Sequence, residues 1–365
     1  MIDSTLLRVE KGEIHVIYAY DIGQSIDLAA TKQKLAAHAE LARIRHKGHA
    51  PRYFQFDPIP LRVTEEPASF ELGNREQRAE VELVLYDFGG VSVGYSWPFT
   101  GTLEELVGVS CELVSSTALR EDSFARVEQL LVVIASAVSK AAIAPFAEDY
   151  TIFLVEEFAP PVSAAELARD HAQCIARVLR AERDALSEQE VTEATGTRIS
   201  FGLEDVAIVD WGSALVFDRE SEDVRTVLEF ANLQLLELRH IDDQLDRTLD
   251  RAYELVGRRG LHVPGETRAA LRHVARLQVD SAILFERVNN ALKLLGDQYL
   301  ARVYRAASQR YRLNEWNTTL LRKLETIETI YDKVHDQSVG LRMEVLEWII
   351  VFLITLEVVL SFVRH

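Results

Sequence analysis

Asp242-Asp243-Gln244-Leu245-Asp246 matches the DDxxD pattern that chelates magnesium diphosphate. On a helix Asp242 and Asp246 share a face, as two carboxylates on one divalent ion require. Ion pairing with Arg239, Arg247 and Arg251 accounts for the same residues, and no partner motif follows them. Gly89-Gly90-Val91-Ser92-Val93-Gly94 has the glycines of a phosphate loop, but no GK[ST] and no dinucleotide fingerprint. A tight hairpin and close backbone approach explain those glycines better. Asp205, Asp210 and Asp218 gather with Trp211 around a hairpin, a candidate polar site beside an indole. Turn chemistry and protection of a sheet edge explain the same acids. Cys111 and Cys174 are too few for a disulfide framework or a Cys-rich zinc site and read as small buried side chains. The histidines form no HExxH, and His46-Lys47-Gly48-His49 reads as a loop. No catalytic residue, cofactor, metal ligand or small-molecule substrate is assigned from these patterns.

Two groups of arginines are locally basic: Arg258, Arg259, Arg268 and Arg272, and further on Arg302 and Arg305. Either they form a solvated face paired with acids, or they meet anionic lipid headgroups or ribosomal RNA. The run Trp348–Val363 (WIIVFLITLEVVLSFV) carries one charge, Glu357. A spanning helix needs about 20 apolar residues. Glu357 costs about 2.5–3.5 kcal/mol near the bilayer centre, which the apolar residues around it can offset. The expectation is a single-pass C-terminal anchor through Trp348, Ile349, Ile350, Phe352, Leu353, Glu357, Val358 and Leu360. Lys and Arg ahead of the run keep the bulk in the cytoplasm. The other reading buries the run inside the protein or an oligomer.

The elements that position these groups fall into two regions. The chain has 365 residues and a formal net charge of −17. Residues 1–225 hold 38 acidic and 21 basic side chains, and the remainder holds 19 of each, so the whole surplus lies in the first region. Such a field excludes nonspecific nucleic-acid binding by the surface as a whole. The N-terminus has neither a secretory h-region nor an Arg-rich presequence pattern. Strands are expected at Glu13–Tyr20, Val81–Tyr86, Val91–Tyr95, Tyr150–Glu156, Val206–Trp211 and Ala214–Phe217. The last two flank Gly212-Ser213 as a tight hairpin. Helices are expected over Asp27–Lys47 and, buried, over Phe124–Ala142. Capping boxes read at Thr102/Glu105, Ser163/Glu166 and Ser187/Glu190. From residue 226 the pattern is helical, with heptad seams such as Leu228, Ala231, Leu235, Leu238 and Leu320, Leu324, Ile327. The fold class is therefore an α+β N-terminal domain with a mixed or antiparallel sheet, then an all-α region of long coiled-coil-like helices ending in a hydrophobic tail helix. The domains are 1–225, 226–347 and 348–363.

Four segments in order carry a resemblance. They are Val91–Trp97 (VSVGYSW), Leu186–Glu190 with Arg198–Ser200, Asp205–Asp218, and the tail from Leu346 to Leu360. From about Tyr18 to its end the chain resembles the required-for-meiotic-nuclear-division family, a domain of unknown function. Its fungal and animal members lie in the mitochondrial inner membrane, and an animal member supports mitochondrial translation. Without a presequence, this chain is similar to a bacterial-type member. The resemblance implies a tail anchor and a scaffolding or assembly role. The expected function is a non-enzymatic membrane-anchored scaffold, self-associating through its helices and linking translation on the ribosome, or another complex, to the membrane. The alternatives are a soluble homo-oligomer with its tail at a subunit interface, or an uncharacterised enzyme.

Overall fold

Apolar residues alternate along Glu13–Tyr20, and strand β1 runs Arg8–Asp21. In the computed structural model, which describes residues 7–36, 39–41, 58–73, 75–257, 279, 282, 298–330, 333 and 350–351, β1 is the middle strand of a nine-stranded sheet. The order is β3 (Ala39–Leu41), β4 (Leu61–Leu72), β5 (Arg75–Leu85), β6 (Gly90–Thr102), β1, β8 (Glu148–Ala159), β11 (Ser213–Phe217), β10 (Val206–Val209), β9 (Arg198–Ile199). Strands β8 and β11 pair in parallel, and the other neighbours are antiparallel. Strands β2 (Ser25–Ile26) and β7 (Val138–Ser139) form a small ribbon beside it. The mixed sheet expected for the first region is present, followed by helices.

The helices of this part are α1 (Leu28–Lys34), α2 (Leu103–Ser115), α3 (Ala118–Ile134), α4 (Ala164–Asp170), α5 (Ala172–Arg180) and α6 (Glu188–Thr195). Thr102 and Glu105 close a reciprocal capping box on α2, and Ser163 and Glu166 do so on α4. At α6 the Ser187 hydroxyl accepts from the Glu190 N–H. Two helices are shorter than their periodicity predicts. Helix α1 stops at Lys34, and residues 39–41 pair with β4 instead. Helix α3 stops at Ile134, where Ala135–Ala137 tighten into a 3-10 turn that feeds β7. Nor is α3 wholly buried. Leu119, Ser123, Val127, Leu130 and Ile134 face inward at spacings of three and four, while Val132 is 82% exposed.

The two faces of the sheet differ. Ile14, Val16 and Tyr18 of β1, Val81 and Leu83 of β5 and Val93 and Tyr95 of β6 belong to one apolar core with side chains of α2, α3 and α5. On the opposite face stand His15 and Asp21 of β1, Glu82 of β5 and Ser92 of β6. Helix α7 (Glu222–Gly257) covers that face: its Phe230 ring lies 6.1 Å from Tyr86, and Asn232 donates to the Glu148 carbonyl at 3.3 Å. Residues 226–234 of α7 are all buried, so this stretch is enclosed on every side where a heptad seam would leave one face wet.

The chain divides into two units, Met1–His240 with Glu286–Asn314, and Ile241–Phe285 with Glu315–His365. Helix α7 starts in the first and runs into the second. Helix α8 (Gln298–Arg310) belongs to the first, and α9 (residues 313–330) lies almost wholly in the second. In the second unit the DDxxD carboxylates are ion-paired. Lys323 reaches Asp242 at 2.7 Å and Asp246 at 2.6 Å, and Arg247 reaches Asp243 at 2.8 Å. Lys323, not Arg239 or Arg251, neutralises the shared face.

The membrane anchor is corrected. Among the described residues no helix is long and apolar enough to cross a membrane. Of the tail, Ile350 and Val351 are helical and about half exposed. Trp348, Ile349, Phe352, Leu353, Glu357, Val358 and Leu360 lie outside the described residues. The physical reason is length and charge: the run is shorter than the roughly 17–25 residues of a span and holds a carboxylate.

Candidate functional site

Strands β8 and β11 run parallel with Phe217 opposite Val155, where β11 ends while β8 continues beside β1 to Ala159. The Asp218 N–H still donates to the Val155 carbonyl at 2.9 Å. Beyond that bond the chains part, β8 towards α4 and β11 towards α7. Crevices outside the carboxyl ends of parallel strands are where open sheets hold ligands. Here the crevice is a cavity of about 620 Å³. Phe158, Phe217, Pro161 and Val162 form its apolar wall, the two rings meeting near edge-on at 5.0 Å. Glu156, Glu157, Glu204, Asp205 and Asp218 form its polar wall, against one lining guanidinium, Arg219.

The two aspartates are set by turns. Asp205 accepts from the Phe201 N–H at 2.8 Å and the Gly202 N–H at 2.6 Å, folding the loop back on itself. Asp218 accepts from the Glu220 N–H at 2.9 Å as the chain turns towards α7. Both are buried, whereas Glu157 and Glu204 are exposed at the rim. Leu203, on the Asp205 loop, is 89% exposed. Glu156 is paired with Lys11 at 2.5 Å.

Asp210 and Trp211 do not join this cavity. Val209 pairs with Ala214, and the Asp210 N–H donates to the Ser213 carbonyl at 2.9 Å. The central turn residues are therefore Trp211 and Gly212, one position earlier than the sequence spacing suggests. Trp211 stands at the apex, exposed. Asp210 is fully buried between Arg180 of α5, 2.7 Å from its carboxylate, and Arg310 of α8. The Tyr150 hydroxyl donates to the Asp210 carbonyl at 3.0 Å, and the Tyr311 ring packs on Tyr150. This is a clasp between helices and hairpin.

Arg302 and Arg305 are exposed on α8, and Arg302 donates to the Ser200 carbonyl at 3.1 Å while lying over the Tyr299 ring. Arg258, Arg259, Arg268 and Arg272 lie outside the described residues. Among the described residues no group of three or more His, Cys, Asp or Glu could hold a metal ion. Sequence reasoning missed Glu156, Glu157, Glu204 and the two phenylalanines. Their local signal was an acid pair ending an apolar strand four residues before Pro160-Pro161.

A second polar group lies under α7. His15 is buried, and neither ring nitrogen has a hydrogen-bond partner. Burial, then the charges of Arg225 and Arg62, hold its pKa well below the usual imidazole value. Those arginines share Glu82, at 3.7 and 3.3 Å. Burial raises the pKa of Glu229 on α7, with Arg225 and Ser92 opposing. The imidazole fits because residue 94 is glycine: a Cβ there would stand 2.8 Å from the His15 ring. Gly94→Ala should therefore cost about 1–3 kcal/mol in urea unfolding. The cost should shrink in a His15→Ala background, because the two positions are in contact. Equal costs in both backgrounds would show that the ring is not what the glycine accommodates.

Comparison with known proteins gives two findings. Residues 11–223 match the family described as "Uncharacterized protein MJ0711, N-terminal domain". The chain is 24% identical over 221 residues to "Uncharacterized protein MJ0711" of Methanocaldococcus jannaschii, across 60% of this chain and 67% of that one. No solved structure matches. Neither finding carries the required-for-meiotic-nuclear-division family or a bacterial type.

Proposed function

The chain belongs to the family of the MJ0711 N-terminal domain, and from the geometry of its first unit we propose that it is a non-enzymatic binding and assembly protein whose acidic cavity takes a basic segment of a partner protein. The observation that supports this is the cavity beyond β8 and β11, where five carboxylates and one guanidinium surround two phenylalanine rings. A lysine or arginine side chain suits both walls. Its methylene stem lies on apolar surface while its head meets carboxylates. A guanidinium over a phenylalanine face gains a further cation–π attraction of about 0.5–2 kcal/mol. The surplus of negative charge in residues 1–225 steers such a segment towards this unit. Exposed Leu203 at the rim offers an apolar contact beside the charged ones.

Calorimetric titration of the full chain with an alternating Arg-Leu octapeptide tests this, with an alternating Glu-Leu octapeptide as control. Binding of the first alone is expected, weakening as salt rises. Glu157→Lys with Glu204→Lys reverses two exposed rim charges and spares the turn bonds of Asp205 and Asp218. It should weaken binding at least about tenfold, or about 1.4 kcal/mol. Unchanged affinity in that variant, or equal affinity for the acidic peptide, would remove the cavity as the site.

A further inference from the structure

The end of β1 and the middle of α7 bring two carboxyl groups together beneath the helix. Asp21 is the last residue of β1, opposite Gly90 of β6. Glu237 is on α7, one turn beyond Leu233, whose methyls lie against Gly90. The carboxyls are buried, with their residues 8% and 5% exposed, and each acts on the other's ionisation. Asp21 also accepts from the Gly23 N–H at 3.1 Å. Glu237 Oε1 has no hydrogen-bond partner among the described residues. Two buried carboxylates that act on each other repel when both are ionised, so the pair favours keeping a proton.

The other ionisable groups on the packed elements are engaged elsewhere or exposed. Arg239 of α7 pairs with Glu148 of β8. The His240 ring lies 6.0 Å from Phe146. Glu229, two turns back along α7, faces Ser92 and Arg225. Asp87, in the turn between β5 and β6, has interactions of its own, and Lys140, after β7, is exposed. Tyr86 is buried against Phe88 and Phe230. The pair thus has no neutralising cation among the described residues, and its charge state is set by burial and by its own members.

We propose that Asp21 and Glu237 form a proton-operated latch, which holds α7 on the sheet while they share a proton and releases that stretch of helix when both are ionised. Burial is the first cause in each partner. It raises Asp21 to about 7, partly opposed by the Gly23 N–H, and raises Glu237 well above the carboxylate range, reinforced by the charge of Asp21. The folded state therefore keeps protons that the unfolded chain has released above about pH 4. The stabilisation is complete at acid pH and is lost as pH rises through about 7 and beyond. His15 does not disturb this window, because above about pH 7 its imidazole is neutral in the folded and unfolded chain alike.

Hydrogen exchange of the α7 amides around residues 233–241, read by mass spectrometry from pH 7 to 9 and corrected for intrinsic chemistry, tests the latch. The opening equilibrium should grow with pH, by up to about tenfold per unit for each proton lost. Glu237→Gln and Asp21→Asn each take one ionisable carboxyl from the pair, so both should flatten the profile. The amides of central β1, from Ile14 to Tyr18, should show no such slope. A flat profile in the unaltered chain, or an unchanged slope in both variants, would overturn the proposal. If either variant fails to fold, the urea midpoint of the unaltered chain, followed against pH, decides in its place. Its stability must fall between pH 7 and 9, and a midpoint that holds level across that range would overturn the latch.

Discussion

Replacing Asp210 by asparagine should destabilise the first unit by about 3–5 kcal/mol, among the largest single losses the structure predicts. The carboxylate is wholly buried and is what Arg180 and Arg310 converge on. The Arg180 approach at 2.7 Å is a charge contact whose angle does not make a hydrogen bond. Its strength is therefore coulombic, and the neutral amide loses it. Arg180 keeps distant carboxylates, Glu190 at 3.8 Å and Glu193 at 3.7 Å. Arg310 has no second carboxylate among the described residues. The two cations then face each other across an amide in a dry site. Urea unfolding measures the loss, and Asp210→Leu with Arg310→Leu provides the control. Removing that pair should recover part of the stability, because replacing a buried pair by apolar residues is often neutral, and Arg180 is left to Glu190 and Glu193. If Asp210→Asn costs under about 1 kcal/mol, water reaches the clasp and the site is not dry.

What is legible in the sequence is local. The strands at Glu13–Tyr20 and Tyr150–Glu156 announce themselves by alternation and apolar content, and both are central in the sheet. Thr102/Glu105 and Ser163/Glu166 mark helix starts because the reciprocal bonds need nothing beyond four residues. What is not legible depends on pairing at a distance. The cavity exists because β11, near residue 215, lies parallel to β8, near residue 153. No spacing rule brings Glu156 and Glu157 to Asp218, so only Asp205 and Asp218 of the cavity acids stand out in the sequence. Asp210 groups with them there through closeness along the chain. The register of one hairpin turns it away, towards Arg180 and Arg310.

Helix α7 shows a second limit. Its spacing of threes and fours reads as a heptad seam, a signal shared by any helix with an apolar face. Between residues 226 and 234 the helix is enclosed, and Glu229, Asn232 and Gln234 are buried with the leucines. The sequence shows these polar residues as a wet face, because the partners that make them tolerable come from distant elements, Gln234 accepting from Tyr304 of α8. Ser92 and Glu148 lie more than eighty residues away. The anchor reading rests on composition, whereas the run is 16 residues with one carboxylate and no described helix is long and apolar enough to cross a membrane.

Gly89→Ala should cost on the order of 3 kcal/mol or more, through strain and collision together. Residue 89 has φ of +107°, a region that side chains with a Cβ avoid. A Cβ there would fall 1.7 Å from the Gly23 carbonyl oxygen, closer than any non-bonded contact, and that oxygen is backbone. The turn cannot simply move away. The Gly89 N–H donates to the Tyr86 carbonyl at 3.2 Å, and the Gly89 carbonyl accepts from the Ile22 N–H at 3.0 Å. Gly212→Ala is the matched control, because nothing lies within 4 Å of a Cβ at that turn. It should change stability by less than about 0.5 kcal/mol. The two substitutions add the same methyl to two hairpin turns, so the difference in their urea midpoints reports the positive φ of residue 89 and the contact with Gly23 together. Gly23 is also the residue whose N–H holds Asp21. Displacing it should weaken that bond and, with one support for ionised Asp21 lost, steepen the pH dependence of α7 exchange. A loss under about 1 kcal/mol in Gly89→Ala would mean that the turn relaxes freely and that the loop after β1 does not constrain it.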